Sequence, residues 1–302
     1  MTSYHHQPYE GEADLKALLN LVRARPRERL ADYPGLIDFN EMFLRADVRA
    51  NTQLWVDAQG KLQGYVILQP DFHSFQFEAV VGANDDLVRQ LIGWAVRYAV
   101  DNGWETIRAS SVENDLARVA LLAESDFTRQ EGHTLFFERS LNDPLPPPEL
   151  PPGLSIRSVE GEHEVEALVA LHRAAFGTEY MDAAGRLSWM RSPDYEPALD
   201  LVAVGPDGTL AAYVLCRISA EENALTGRSL GYTDPVATHP DYQRLGLAKA
   251  LLLVGCKKLR ERGVETVALG TGSWNTGMRK AAESVGYRVI SKKYFFEKSL
   301  RL

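Results

Sequence analysis

The chain has 302 residues, 45% hydrophobic and 25% charged, with 33 basic against 41 acidic side chains for a formal charge of -8. That composition excludes disorder and fibrous folds, and the acidic balance argues against a general nucleic-acid binder, which gains affinity from Lys and Arg set against phosphates. No stretch approaches the roughly 20 unbroken apolar residues of a membrane helix, and the start lacks the basic and apolar runs of a signal peptide, so a cytoplasmic location is expected. Cys216 and Cys256 stand apart from each other and from any His cluster; they read as buried, reduced thiols, and no metal site is expected.

The length suits two domains of about 150 residues each, and the chain repeats itself. YEGEADLKALLNLVR at 9–23 lines up with VEGEHEVEALVALHR at 159–173. A strand, a Gly-containing turn and a second strand at 55–68 recur around Gly208 and Tyr213. DNGWETIRAS at 101–110 matches ERGVETVALG at 261–270, and FFERSL at 136–141 recurs as FFEKSL at 295–300. Four matches in one order, with offsets drifting only between 148 and 160, imply two copies of one fold. The Pro-rich stretch at 142–153 removes backbone donors and holds the chain extended. It reads as a linker between an N-terminal domain at 1–141 and a C-terminal domain at 154–302; a PxxP ligand for a partner domain is the weaker reading.

Within the second copy the patterns predict a strand at 154–159, an amphipathic helix at 162–176, and strands at 200–204 and 210–218. An extended run follows at 229–238, then a helix over 245–262, a strand at 266–269, a helix at 276–285 and a last strand at 288–298. The order is mixed α/β, with antiparallel ribbons early and a strand-helix-strand unit in the middle.

The most specific segment is DPVATHPDYQRLGLAKALL at 234–252, where a strand runs through a short turn into a helix. Gln243, Gly246 and Ala248 satisfy Q/R-x-x-G-x-G/A. A small-residue turn lets phosphates approach the backbone, and the unpaired N–H groups at the start of the next helix bind them. Gly246 permits a positive φ, and Ala248 keeps the first helical turn unobstructed. Arg244 and Lys249 add charge. Gly with a small residue at such a turn can also serve packing alone, but the flanking V-x-T-H-P and the apolar helix favour a pyrophosphate site. A phosphate-binding GxxxxGK[ST] loop is absent, and LGTGSWNTG at 269–277 breaks the dinucleotide fingerprint at Asn275.

On these residues the second copy resembles the GNAT superfamily of N-acetyltransferases, and the first copy resembles it more faintly. The resemblance implies tandem GNAT-like domains, each a central mixed β-sheet flanked by helices, with acetyl-CoA as cosubstrate, no metal and a small-molecule amine as acceptor. Carried over by position, the backbone of Val236, Ala237 and Thr238 holds the thioester and pantetheine. Gln243, Arg244, Leu245, Gly246, Leu247, Ala248 and Lys249 hold the pyrophosphate, and Asn275 stands where the family often has an Asn at the start of the following helix. Many members carry a Tyr near the thiolate where this chain has Ala282. Tyr287 and Tyr294 could replace it but read better as core.

Acetyl transfer to an amine also needs a route for the amine's proton, and Asp234 is the first candidate base. Strict alternation would put it on one face with Val236 and with Tyr232, which could position substrate; a turn or bulge Asp before Pro235 is the competing reading. His239 reads as structural. Trp189, Met190 and Tyr195 lie where such folds build the acceptor pocket, or simply pack. In the first copy Asp86 falls opposite Gly246, and with Asp85 it should repel a pyrophosphate, so that copy is expected to be degenerate. A non-catalytic acyl-CoA sensor is the alternative function.

Overall fold

The structure is a computed structural model that describes residues 4–26, 29 and 35–301. In chain order its elements are β1 (His5–Pro8), α1 (Glu12–Arg23), α2 (Leu36–Met42), α3 (Ala46–Ala50), β2 (Thr52–Val56), β3 (Leu62–Gln69), β4 (Ser74–Ala79), α4 (Asp85–Asp101), β5 (Thr106–Val112), α5 (Leu116–Glu124) and β6 (Thr128–Ser140). The series then repeats as β7 (Ser155–Ser158), α6 (Val165–Phe176), α7 (Ala183–Met190), β8 (Asp200–Val204), β9 (Leu210–Arg217), α8 (Ala220–Thr226), β10 (Leu230–Thr238), α9 (Leu247–Arg260), β11 (Thr266–Gly272), α10 (Thr276–Ser284) and β12 (Arg288–Ser299). The expected mixed α/β order is found, with α7 and α8 in addition. Helix α8 carries a start signal in its sequence: Ser219 caps it by accepting from the Glu222 N–H at 3.2 Å, the S-x-x-E pattern of a helix N-terminus.

Two compact units form, one from Met1–His133 with Lys292–Leu302 and one from Thr134–Ser291. In the first the strand order is β1-β2-β3-β4-β5-β12, and in the second β6-β11-β10-β9-β8-β7. Each sheet is mixed, parallel only at β4–β5 and β10–β11. The units thus divide the chain at 133/134 and 291/292, whereas the sequence repeat divides it at 142–153. The cause is an exchange of the two near-identical strands: Thr134–Ser140 of β6 pairs with β11, and Lys293–Ser299 of β12 pairs with β5. The Pro-rich stretch is docked on the second unit. Leu145 and Leu150 pack against its core, and the Arg139 guanidinium donates to the carbonyls of Pro144 (2.7 Å) and Val285.

In the second unit the sheet is covered on both faces. Ala212, Val214 and Cys216 of β9 pack with Leu247, Leu251 and Cys256 of α9. On the other face Tyr213 of β9 and Ala237 of β10 pack with Leu168 and Leu171 of α6. Both cysteines are free and buried, as expected, and burial pushes both thiols up. No helix among the described residues is long and apolar enough to cross a membrane, and none of their His, Cys, Asp and Glu side chains form a group of three or more able to hold a metal.

Candidate cosubstrate site in the second unit

Strand β10 pairs with β11 only from Leu230 to Tyr232, opposite Thr266 to Ala268. Beyond that point β10 continues to Thr238 bonded to β9 alone, while β11 continues to Gly272 bonded to β6. The two central strands therefore splay, and the edge of β10 that carries Val236, Ala237 and Thr238 is left without a ladder partner on the β11 side. Backbone donors and acceptors in such a gap need a partner. An extended amide-containing chain is the shape that supplies one.

The splay opens where the register of β10 shifts. Thr233 lies opposite Cys216 and Val236 opposite Val214, so three steps on β10 match two on β9. This β-bulge at Asp234 and Pro235 breaks the period-2 alternation. Thr233 and Val236 both face α9, while Tyr232 and Ala237 face the other side. The expectation that Asp234 and Tyr232 share a face with Val236 is thereby corrected in favour of the bulge. The Asp234 carboxylate instead reaches across the gap to accept from the Gly270 N–H at 3.0 Å, with the Arg217 guanidinium 3.8 Å away. The Tyr232 hydroxyl donates to the carboxylate of Glu222.

After β10 a short 3-10 turn at Pro240–Tyr242 leads into the segment from Gln243 to Lys249. His239 accepts from the Asp241 N–H at 3.3 Å and so holds that turn, in keeping with a structural role. The residues that follow leave the regular conformations: Arg244 has φ 62° and Gly246, the N-cap of α9, has φ 80°. At Gly246 a side chain would be strained, and the space beside its Cα is open to 4 Å. Backbone bonding in the turn ends with the Gln243 N–H to Pro240 (3.2 Å) and resumes with the Ala250 N–H to Gly246 (3.0 Å). The N–H groups from Arg244 through Lys249 lie between, at the positive end of the α9 dipole and with no capping side chain. A diphosphate fits this donor set. Asn275 caps α10 by accepting from the Met278 N–H at 3.0 Å, which leaves its amide nitrogen available.

The first unit has the same two strands and closes the same gap. There β4 and β5 pair only at Ser74 and Arg108. Arg118 of α5 donates to the Phe77 carbonyl at 3.0 Å and to Glu78 at 2.7 Å, and Glu78 is also held by Arg29 (3.0 Å) and Arg25 (3.2 Å). Burial pushes Glu78 up, yet the Arg118, Arg25 and Arg29 guanidiniums together hold its carboxyl below the usual range. By pairing, Glu78 lies opposite Tyr65 as Ala237 lies opposite Tyr213, so a buried ion cluster stands where the second unit has a methyl group. Helix α4 also starts two residues early, at 85 against 87 once the 160-residue offset is removed from Leu247. Asn84 caps it by accepting from the Leu87 N–H at 3.0 Å, and Asp85 and Asp86 occupy its first turn. Asp86 thus stands inside a helix where the second unit has a left-handed glycine.

Other expected residues pack. Ala282 is fully buried. Tyr287 is buried, with its hydroxyl 2.7 Å from the Thr233 hydroxyl and 3.4 Å from Cys256 Sγ, and burial pushes its pKa well up. Tyr294 lies in the first unit, its ring 3.4 Å from the Arg129 guanidinium carbon and its hydroxyl donating to Glu113 at 3.3 Å. Tyr195 donates to the buried Asp200 at 2.9 Å, and Trp189 lies 6.0 Å from the ring of His172. Met190 packs with Val165 and Val169.

His172 on α6 is a group that sequence reasoning missed. Its Nδ1 is 2.6 Å from the buried Tyr213 hydroxyl and its Nε2 3.2 Å from the Tyr180 hydroxyl. Burial, and then the Arg186 guanidinium, lower its pKa from 6.5 to about 4, so the ring is neutral. The neutral ring thus bridges the Tyr213 and Tyr180 hydroxyls through its two nitrogens.

Comparison with known proteins agrees with this geometry. The sequence profile of the Acetyltransferase (GNAT) family matches residues 165–287. A mycothiol acetyltransferase of Thermobispora bispora is 30% identical over 203 residues, 66% of this chain and 68% of that protein. A tandem GNAT protein from the clavulanic acid biosynthesis pathway superposes with a TM-score of 0.71 at 15% identity, covering 100% of this chain and 99% of its own. A GCN5-related N-acetyltransferase from Sphaerobacter thermophilus gives 0.69 at 20% identity, covering 99% and 96%. By these matches the chain belongs to the GNAT family of acetyltransferases.

Proposed function

We propose that the second unit is an acetyl-CoA-dependent N-acetyltransferase that passes acetyl directly to the amine of a small-molecule acceptor, with one cosubstrate site per chain. The observation that carries this reading is the contrast between two copies of one fold: an open splay with an uncapped, left-handed turn in one, and a gap closed by Arg118 with a self-capped helix in the other.

Bound acetyl-CoA supplies an activated thioester carbonyl. Val236, Ala237 and Thr238 offer their free backbone edge to the pantetheine arm, and the segment from Gln243 to Lys249 holds the diphosphate, with the Asn275 amide beside the arm. Asp234, at the head of the splay, takes the proton from the attacking amine, directly or through a water. The bond made is N–C, the bond broken is C–S, and the thiol leaves with the proton balance closed through that carboxylate. No tyrosine stands at Ala282 to protonate the thiolate. A thiol with a pKa near 8.5 leaves without one at moderate cost.

The acetyltransferase test is thiol release from acetyl-CoA across a panel of amines. The deacetylated form of mycothiol is the first acceptor to try, because of the name its relative carries. Turnover with at least one amine is expected; tight CoA binding with no transfer to any acceptor would point to a sensor instead.

A further inference from the structure

The face of β11 turned away from α9 carries almost no side chains. Val267, Leu269 and Thr271 point into the α9 side or are buried, which leaves Ala268, Gly270 and Gly272 in line on the other face. Three groups converge on this bare strip. A Cβ placed on Gly270 would lie 3.6 Å from the ring of Phe136 and 3.8 Å from the Asp234 carboxylate. A Cβ placed on Gly272 would lie 2.4 to 2.9 Å from three atoms of the Trp274 indole. The glycine is therefore what seats that ring against the strand. Trp274 is nonetheless 67% exposed, an unusual position for the largest apolar side chain. Gly270 and Gly272 are two residues apart, about 7 Å along a strand.

A carboxylate and two aromatic rings around a floor without side chains is a set that suits a substituted ammonium group: the carboxylate supplies charge and the ring faces supply cation–π attraction. We infer that Asp234, Phe136 and Trp274 form an ammonium-binding corner that selects acceptors presenting a protonated amine on a small apolar or ring-shaped substituent. This rests on the proposed acetyltransfer, since Asp234 is also its base, and deepens it by naming the acceptor class. The acceptor arrives as its abundant cation, is held at the head of the splay and gives one proton to the carboxylate, which releases it to water; the neutral amine then attacks, and its second proton passes through the same carboxylate to the departing thiolate.

Benzylammonium chloride and its neutral isostere benzyl alcohol are suitable probes, titrated by ligand-observed NMR near neutral pH, with and without CoA. The wild-type protein should bind the ammonium ~tenfold more tightly than the alcohol. Asp234→Asn keeps an acceptor for the Gly270 N–H, so the strand tie survives, and should abolish that preference. Trp274→Ala and Gly272→Ala, the latter displacing the indole without altering its chemistry, should each weaken the ammonium ~tenfold while the CoA affinity holds within about twofold. Trp274→Phe should recover part of the loss. Equal binding of the two probes, or loss of CoA affinity alone in Trp274→Ala, overturns the assignment. Absence of CoA binding to the wild type would instead overturn the acetyltransferase reading, which the titration without CoA keeps separate.

Discussion

Gly246 is the residue on which the proposed diphosphate site turns, and two substitutions there separate strain from charge. Its φ of 80° lies in the left-handed region, so Gly246→Ala should cost about 1–2 kcal/mol of stability. A methyl group at that position meets nothing within 4 Å, so acetyl-CoA affinity should fall by no more than about threefold. Gly246→Asp adds a carboxylate to the same place, and Asp tolerates the left-handed region better than Ala. Two unit charges 4 Å apart at an effective dielectric of 20 repel by about 4 kcal/mol. The turn is exposed, and screening reduces this to about 2 kcal/mol, a ~30-fold loss. Isothermal titration with CoA at low and high salt reads both terms: the aspartate penalty should shrink with salt and the alanine effect should not. Equal losses for the two variants, unchanged by salt, would refute the placement of the diphosphate at this helix start.

Three further outcomes follow from buried polar groups. His172 has a folded pKa of about 4 against 6.5 unfolded, so the unfolded chain binds the extra proton first as pH falls. Its effect on stability is nil above pH ~6.5 and grows to a loss of about 3 kcal/mol near pH 4; urea unfolding against pH should show this slope and lose it in His172→Gln. Arg186 and Asp200 form a buried ion pair in which burial holds Asp200 above its usual range despite the guanidinium and the Tyr195 hydroxyl. Arg186→Met strands that carboxylate and should cost about 3–5 kcal/mol by thermal or denaturant unfolding, and adding Asp200→Asn should restore part of it. In the first unit Arg118→Ala should lower stability by less, about 1.5–3 kcal/mol, because Glu78 loses one charged hydrogen bond but keeps Arg25 and Arg29. A second CoA equivalent should not appear in that variant, since Asn84 still caps α4.

The duplication and the turn at Gln243 to Ala248 were legible in the sequence because both are local: a repeated pattern and a small-residue spacing. The strand exchange was not. FFERSL and FFEKSL are so alike that neither specifies which sheet it completes, and only long-range pairing decides. The bulge at Asp234 had a signal in Pro235, which cannot donate to a ladder, but alternation alone pointed elsewhere. The Arg118 closure of the first unit had no local signal, since its partner Glu78 lies 40 residues away along the chain and Arg25, which shares that carboxylate, 93. His172 looks like one more polar position on an amphipathic helix until Tyr180 and Tyr213 are brought to it.

The central claim is one acetyl-CoA site per chain, in the unit that keeps its splay open. Calorimetric titration of the whole chain with CoA measures it directly: a stoichiometry of one is expected, with the affinity falling ~30-fold in a Gly246→Asp variant that remains folded. A stoichiometry of two, or an affinity that is unchanged in Gly246→Asp and lost on changing Arg118, would place the cosubstrate in the other unit and contradict the account.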